Sequence, residues 1–167
     1  MAQKVISEKP AADLEVTSVE QESPELFEIH YALKNNGKTD LYIPYHQIDG
    51  SIALTTYSLL QRTKAGAWVN IGPSYDVASH KSKVLQPGAT LSLSELISAS
   101  SGGVGLSTGN GSAQTYYKIR VGYYLGAAVW QKRLEAMKEQ QLTQQTLSLP
   151  KIEFAYSEQF AIPAAAK

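Results

Sequence analysis

Three histidines, His30, His46 and His80, are among the residues that could ligate a metal or act as a general base. A zinc site needs three or four ligands at motif spacing, and none of these histidines lies in such a spacing. His46 has a carboxylate nearby, Asp49, but no third ligand. His30 falls on the polar side of an alternating segment, where a solvated histidine is expected. The sequence therefore predicts no metal site and no cofactor.

The sequence also contains no residue pattern typical of a catalytic nucleophile or of an acid–base pair. The chain contains no cysteine, which excludes disulfides, thiolate metal sites and cysteine nucleophiles. None of its serines lies in the Gly-x-Ser-x-Gly pattern of a nucleophile elbow. Glu153 and Glu158 could form a glycosidase pair if they lay about 5 to 10 Å apart, but their opposite parity on a strand argues against it. We predict no catalytic residue and a non-enzymatic chain.

A glycine- and serine-rich stretch, residues 98–114, includes Gly103 and Gly105. Backbone amides freed by glycine can cradle phosphate. A Walker loop would need Gly-Lys-Ser/Thr opening a helix, and a dinucleotide fingerprint would need a βαβ unit, whereas an alternating strand follows here. We interpret the stretch as a flexible connector, with a partner-binding loop around Gly103 and Gly105 as the alternative.

Aromatic and cationic residues alternate on one side of the strand that follows: Tyr116, Lys118, Arg120 and Tyr124. Such a mixture can stack bases or sugars, and cross-strand pairs on a solvated sheet use the same residues. We favour cross-strand pairing. The chain has 15 basic and 15 acidic residues, so it lacks the net positive field that attracts nucleic acid. Tyr116, Arg120 and Tyr124 stay candidates for a protein contact, and no nucleic-acid partner is predicted.

A helix is predicted at residues 127–145, which are rich in Ala, Leu, Met, Glu, Gln and Lys. Trp130, Leu134 and Met137 lie at positions i, i+4 and i+7, on one narrow apolar side. This stripe could dock into the groove of a partner, or it could cover the chain's own sheets. Trp and Met are seldom left in water, so we favour packing within the chain.

The remaining elements are predicted as strands, because apolar and polar residues alternate with a period of two. The alternation is clear in residues 27–34, where Phe, Ile, Tyr and Leu share one side. Asn35-Asn36-Gly37 predicts a tight reversal into a short strand at 41–43. Pro44 is expected to end that strand or to mark an edge.

Turn residues delimit further strands. Residues 63–66 are suited to a hairpin between strands at 56–62 and 67–71. Gln86-Pro87-Gly88-Ala89 fits a type II turn. The strand at 117–125 alternates most clearly and is expected to be central. The closing segment, 152–162, predicts one bent strand or two short ones with a break at Ser157-Glu158.

A chain of 167 residues is suited to one domain. We expect a flexible segment at 1–11, one domain at 12–162 and a tail at 163–167. The sequence contains no run of about 18 apolar residues, which is the length that a membrane-spanning helix needs. The first ten residues lack the apolar region of a secretory signal. As written the chain is expected to stay in the cytoplasm, although removal of a leader would leave the same start.

The strand framework resembles that of bacterial immunoglobulin-like sandwich domains, including those grouped with the intracellular proteinase inhibitors of bacilli. The resemblance rests on FEIHYALKNNG at 27–37, LQPGAT at 85–90, YKIRV at 117–121 and YSEQF at 156–160. It implies an all-β, antiparallel, immunoglobulin-like β-sandwich, of about seven to nine strands. To this framework the chain adds the predicted helix, as a helical insertion before the last strand. The glycine-rich loop and the helix depart from a plain domain of this kind.

The function expected from these observations is that of a protein-binding or structural accessory module. Regular strands joined by long loops motivate this hypothesis. The alternative is a proteinase inhibitor that presents a surface loop, although the glycine-rich stretch lacks the rigidity that inhibition needs. The sequence leaves the partner and the oligomeric state open.

Overall fold

The computed structural model describes residues 11–23, 26–48, 50–72, 81–98, 115–143 and 152–162. These residues form a mostly β structure with one helix. The elements are β1 (Ala12–Ser23), β2 (Leu26–Asn35), β3 (Leu41–Ile48), β4 (Ser51–Leu54), β5 (Tyr57–Arg62), β6 (Trp68–Gly72), β7 (Ser82–Leu85), β8 (Thr90–Ser98), β9 (Tyr116–Leu125), α1 (Ala127–Thr143), β10 (Glu153–Tyr156) and β11 (Phe160–Ala161).

The strands belong to two antiparallel sheets. The first sheet has the order β1-β2-β8, and the second has the order β4-β3-β9-β5-β6, with β7 paired to β3 and both β10 and β11 paired to β9. The strand count in the described residues exceeds the expected seven to nine, because several strands are short segments of two to four residues. The all-β, antiparallel character is as predicted.

The two sheets share one hydrophobic core. Alternate residues of β2, from Phe27 to Leu33, are buried, and so are those of β9 from Tyr117 to Tyr123. Tyr31 of the first sheet stacks on Tyr57 of the second, with ring centroids 5.4 Å apart. Burial of each such side chain contributes roughly 1.5 to 3 kcal/mol. The alternation in the sequence therefore identified the core faces of both strands, except that Leu125 at the end of β9 is exposed.

Asn35 ends β2 at a crossing between the sheets. The strand predicted at 41–43 is present within β3, but β2 and β3 lie in different sheets, so residues 35–37 do not form a hairpin turn between paired strands. The buried Asn35 side chain donates to the carbonyls of Thr39 (2.9 Å) and Leu85 (2.8 Å) and accepts from the amide of Gly37 (2.9 Å). The side chain thus supplies the hydrogen bonds that a hairpin would have made through its backbone.

Pro44 does not end its strand, since β3 continues to Ile48. Pairing of β3 with β9 ends at Tyr42, so no ladder bond is needed from Pro44 on that side. On the other side Pro44 lies opposite Ser82 of β7. The alternative expectation, that Pro44 marks an edge, is also wrong, because its carbonyl accepts from the Thr55 amide at 3.1 Å and β3 has paired strands on both sides.

The two predicted turns are confirmed. In the β5–β6 hairpin the amide of Thr63 donates to the carbonyl of Ala67 at 2.7 Å, and Gly66 has φ = 87°. In the β7–β8 turn the amide of Ala89 donates to the carbonyl of Gln86 at 2.9 Å, and Gly88 has φ = 82°. A positive φ at the third residue is what a type II turn requires.

The central position of β9 is confirmed, since it pairs with β3, β5, β10 and β11. The closing segment forms two strands separated at residues 157–159, as predicted. The buried Ser157 holds this break, because its hydroxyl accepts from the amide of Ile119 at 2.9 Å and its own amide donates to the Ile119 carbonyl.

The predicted helix is present as α1, which directly follows Gly126 (φ = 96°). In the described part of the chain, no helix has the length and apolar character needed to cross a membrane. Nearly all of the expected N-terminal segment, the expected tail at 163–167 and the end of the predicted helix at 144–145 lie outside the described residues.

Candidate functional site

The apolar stripe of α1 packs on the chain itself. Trp130 and Met137 are 7% and 6% exposed, and Leu134 is half-buried. The Trp130 ring stacks on Tyr42 (centroids 6.2 Å apart) and contacts Tyr124 (5.7 Å). The helix therefore covers the outer side of β3 and β9, which is the interpretation that the sequence favoured. Trp130 and Met137 are not free to enter the groove of a partner.

Tyr124 belongs to this covered region. It is 5% exposed, and the guanidinium of Arg133 lies 5.0 Å from its ring centroid. The expectation that Tyr124 shares a solvated surface with Arg120 is therefore wrong, because α1 covers the Tyr124 end of β9. Tyr116, at the other end, is half-buried.

The uncovered part of the same outer face carries a row of interleaved rings and cations, here called the aromatic–cationic ladder. The Lys118 ammonium lies 4.5 Å from the ring centroid of Trp68 and 5.1 Å from that of Tyr156. The Arg120 guanidinium lies 4.5 Å from the centroid of Phe154. Phe154 and Tyr156 also contact each other, with centroids 6.4 Å apart.

The register of three strands builds this ladder. Arg120 of β9 lies directly opposite Ser58 of β5 and Tyr156 of β10. Phe154 lies opposite Gly122, where an added Cβ would come within 2.5 Å of Ile152 Cδ1 and 3.1 Å of Phe154 Cε1. The missing side chain at Gly122 therefore leaves the space in which Ile152 and Phe154 lie.

The ladder presents rings to solvent beside positive charge. Tyr156 is 51% exposed and Phe154 is 36% exposed. Among the described residues, no carboxylate lies within ion-pair distance of Lys118 or Arg120. The Arg120 guanidinium reaches the Ser58 hydroxyl at 3.5 Å, and its buried Nε has no hydrogen-bond partner in that part of the chain. Among the described residues, both cations therefore lack a neutralising partner.

From the sequence, Lys118 and Arg120 were expected on this side of β9, but Phe154, Tyr156 and Trp68 were missed as their neighbours. Phe154 and Tyr156 lie on the outer face, whereas Ala155 between them faces inward and is buried. After the break, Phe160 and Ile162 pack against the core. A small inward residue between two aromatic residues was the available signal, since β9 already fills the core at that level with Val121.

The outer face of the first sheet carries a different group. His30 Nε2 lies 3.4 Å from Glu20 Oε2 and 3.5 Å from Glu28 Oε2. The His30 side chain lies on the polar, outer face of its strand, as predicted, and is 35% exposed. The two neighbouring carboxylates were not predicted. Glu20 is ten positions away in sequence and reaches His30 only through the pairing of β1 with β2.

A half-buried carboxyl, that of Glu95, lies on the inner side of the same sheet. The Tyr31 hydroxyl donates to Glu95 Oε1 at 3.4 Å, and burial raises the pKa of Glu95 to about 7. Such a group could serve as a general acid. Glu95 pairs opposite Ile29, whereas His30 pairs opposite Ser94. Because successive strand residues point to opposite faces, Glu95 and His30 do not converge into an acid–base pair.

Two predicted contact residues, Gly103 and Gly105, lie outside the described residues.

Comparison with known proteins identifies no family. No family model matches the chain, and no curated protein matches it. One solved structure, described as an X-ray structure of Northeast Structural Genomics Consortium target SoR45, aligns with 90% of this chain and 82% of its own length, at 8% sequence identity and a TM-score of 0.41.

Proposed function

We propose that this chain is a non-enzymatic, immunoglobulin-like β-sandwich module that binds a protein partner through the aromatic–cationic ladder. Two antiparallel sheets around one core support the sandwich architecture. The binding role is carried by one observation. Lys118 and Arg120 lie among exposed rings, without a carboxylate partner in the described residues.

The composition of the ladder favours a binding surface over a solvated sheet. Tyr, Trp and Arg are the residues most enriched among those that dominate the energy of protein interfaces. Rings that already hold the cations in place reduce the side-chain entropy that binding would cost. A partner would therefore meet a preorganised surface.

The partner that fits is a protein segment with acidic side chains. Its carboxylates would pair with Lys118 and Arg120, while its apolar atoms would cover Tyr156 and Phe154. Nucleic acid is a poorer match, because affinity for it grows with the number of phosphates neutralised and the ladder offers two cations. The zero net charge of the chain adds no long-range attraction.

Binding to defined probes tests this proposal. We would titrate the protein with a peptide of alternating Glu and Tyr, and separately with its Gln and Tyr counterpart, oligo-dT and a heparin oligosaccharide. The signal is the indole N–H resonance of Trp68, assigned with Trp68→Phe. We expect the acidic peptide to shift this resonance saturably, and Lys118→Gln with Arg120→Gln to weaken binding about tenfold or more, as loss of two charged contacts implies.

Lys83→Gln is the matched control, because Lys83 also lies over a ring, that of Tyr45 at 5.0 Å, but away from the ladder. It should leave the affinity unchanged. Equal binding of the Glu and Gln peptides would contradict the role of charge. Tighter binding of oligo-dT or heparin than of the acidic peptide would show that the ladder serves another class of ligand, and absence of binding by every probe would refute the proposal.

A further inference from the structure

We propose that Glu20, Glu28 and His30 form a binding site for a divalent transition-metal cation of the zinc type, on the outer face of the sheet β1-β2-β8. The site is independent of the ladder, which lies on the other sheet.

The distances in this group match ligand spacing better than hydrogen bonding. One ligand atom from each of the three residues lies within 4.8 Å of the other two. The 3.4 and 3.5 Å separations from His30 Nε2 to the two carboxylates exceed a normal N–H···O distance of about 2.7 to 3.2 Å. Metal–ligand bonds of about 2.1 Å in a tetrahedron place neighbouring ligands about 3.4 Å apart.

Two carboxylates repel each other in this group, and the imidazole nitrogen between them makes no hydrogen bond to a described residue. Glu20 lies directly opposite Glu28 in the β1–β2 register, and like charges at directly opposed positions destabilise a sheet. His30 Nε2 is a buried atom with no hydrogen-bond partner among the described residues. A cation between the three side chains would offset the repulsion and give the imidazole nitrogen a ligand role.

The neighbouring strand holds one of the ligands in place. Ser94 of β8 lies directly opposite His30, so its hydroxyl is placed beside the Glu28 carboxylate on the same face of the sheet. Hydrogen bonds from such groups orient metal-binding carboxylates. One imidazole and two carboxylates favour zinc, cobalt, nickel or manganese over calcium, which takes oxygen ligands. A fourth position would be open to water.

Cobalt and zinc titrations test the site on tag-free protein. Tetrahedral or five-coordinate Co²⁺ gives visible d–d bands that hydrated Co²⁺ lacks at comparable intensity, and calorimetry with Zn²⁺ gives the stoichiometry. We expect one ion per chain. His30→Ala and Glu20→Gln should each weaken binding at least about tenfold, since loss of even an orienting group costs that much at metal sites.

His46→Ala is the matched control, because His46 lies on β3 of the other sheet, and it should bind as the unchanged protein does. Circular dichroism of each variant separates loss of the ligand from loss of the fold. The proposal is overturned if the unchanged protein shows no saturable one-to-one binding, if folded His30→Ala keeps its affinity, or if His46→Ala loses it.

Discussion

The half-buried carboxyl of Glu95 should make the stability of the protein depend on pH. Its pKa is raised from 4.5 to about 7, mainly by burial, against an opposing hydrogen bond from Tyr31. The folded protein therefore holds this proton more tightly than the unfolded chain does. Stability from this group is fully present below pH 4.5 and is lost as pH rises towards 7 and above.

The magnitude follows from the two pKa values. At about 1.36 kcal/mol per pH unit, linkage between pH 5 and pH 8 gives roughly 2.5 kcal/mol. Partial contact with solvent reduces this to about 2 kcal/mol. Glu95→Gln keeps the size of the side chain and removes its ionisation, so the variant should lack this loss. At pH 8 the variant should be the more stable protein.

Urea unfolding of both proteins at pH 5 and pH 8 measures the effect. Histidines and other carboxyls titrate in both proteins, so the difference between their two pH dependences isolates Glu95. Glu15→Gln, an exposed position on β1, is the control and should follow the unchanged protein. Parallel pH dependences of the Glu95→Gln variant and the unchanged protein would refute the reasoning, because they would show that Glu95 ionises in the fold as freely as in the unfolded chain.

Three substitutions test the packing that positions the sites, each by urea unfolding. Asn35→Ala leaves the carbonyls of Thr39 and Leu85 without their donor. It should lower the free energy of unfolding by roughly 2 to 4 kcal/mol, whereas an unchanged value would show that water replaces the amide. Gly122→Ala forces Ile152 away and should cost roughly 1 to 3 kcal/mol; no change would mean that the outer face is loosely packed. Trp130→Ala should cost roughly 3 kcal/mol or more, and a smaller loss would indicate that α1 contributes little to the fold.

Local patterns predicted the local structure well. The alternation in residues 27–34 correctly predicted which residues of β2 are buried. Successive side chains of a strand point to its two opposite faces, so the face that carries the apolar residues must be the buried one. Gly66 and Gly88 occupy the positive-φ positions that their turns require. The composition of residues 127–145 predicted α1, and the spacing of Trp130 and Met137 predicted its buried side.

Features that depend on register between strands were not predictable in this way. Glu20 meets His30 only because β1 pairs with β2 with a register shift between Val16 and Ser18. Residues 20, 22, 28 and 30 share a polar parity on the two arms of this hairpin, which was the one available signal. Asn35 looked like a turn residue because its side chain competes for backbone hydrogen bonds, and nothing local shows which sheet the next strand joins.

In the folded chain, the charges on each sheet face matter more for binding than the net charge does. A net charge of zero means that the chain has no long-range positive field to attract nucleic acid. Charge is screened beyond about 8 to 10 Å at physiological ionic strength, and packed sheets lie about 10 Å apart. Under the two proposals, a partner at the ladder would meet Lys118 and Arg120, and a cation on the outer face of the other sheet would meet Glu20 and Glu28. The zero net charge of the chain is therefore compatible with one surface that binds carboxylates and another that binds a metal.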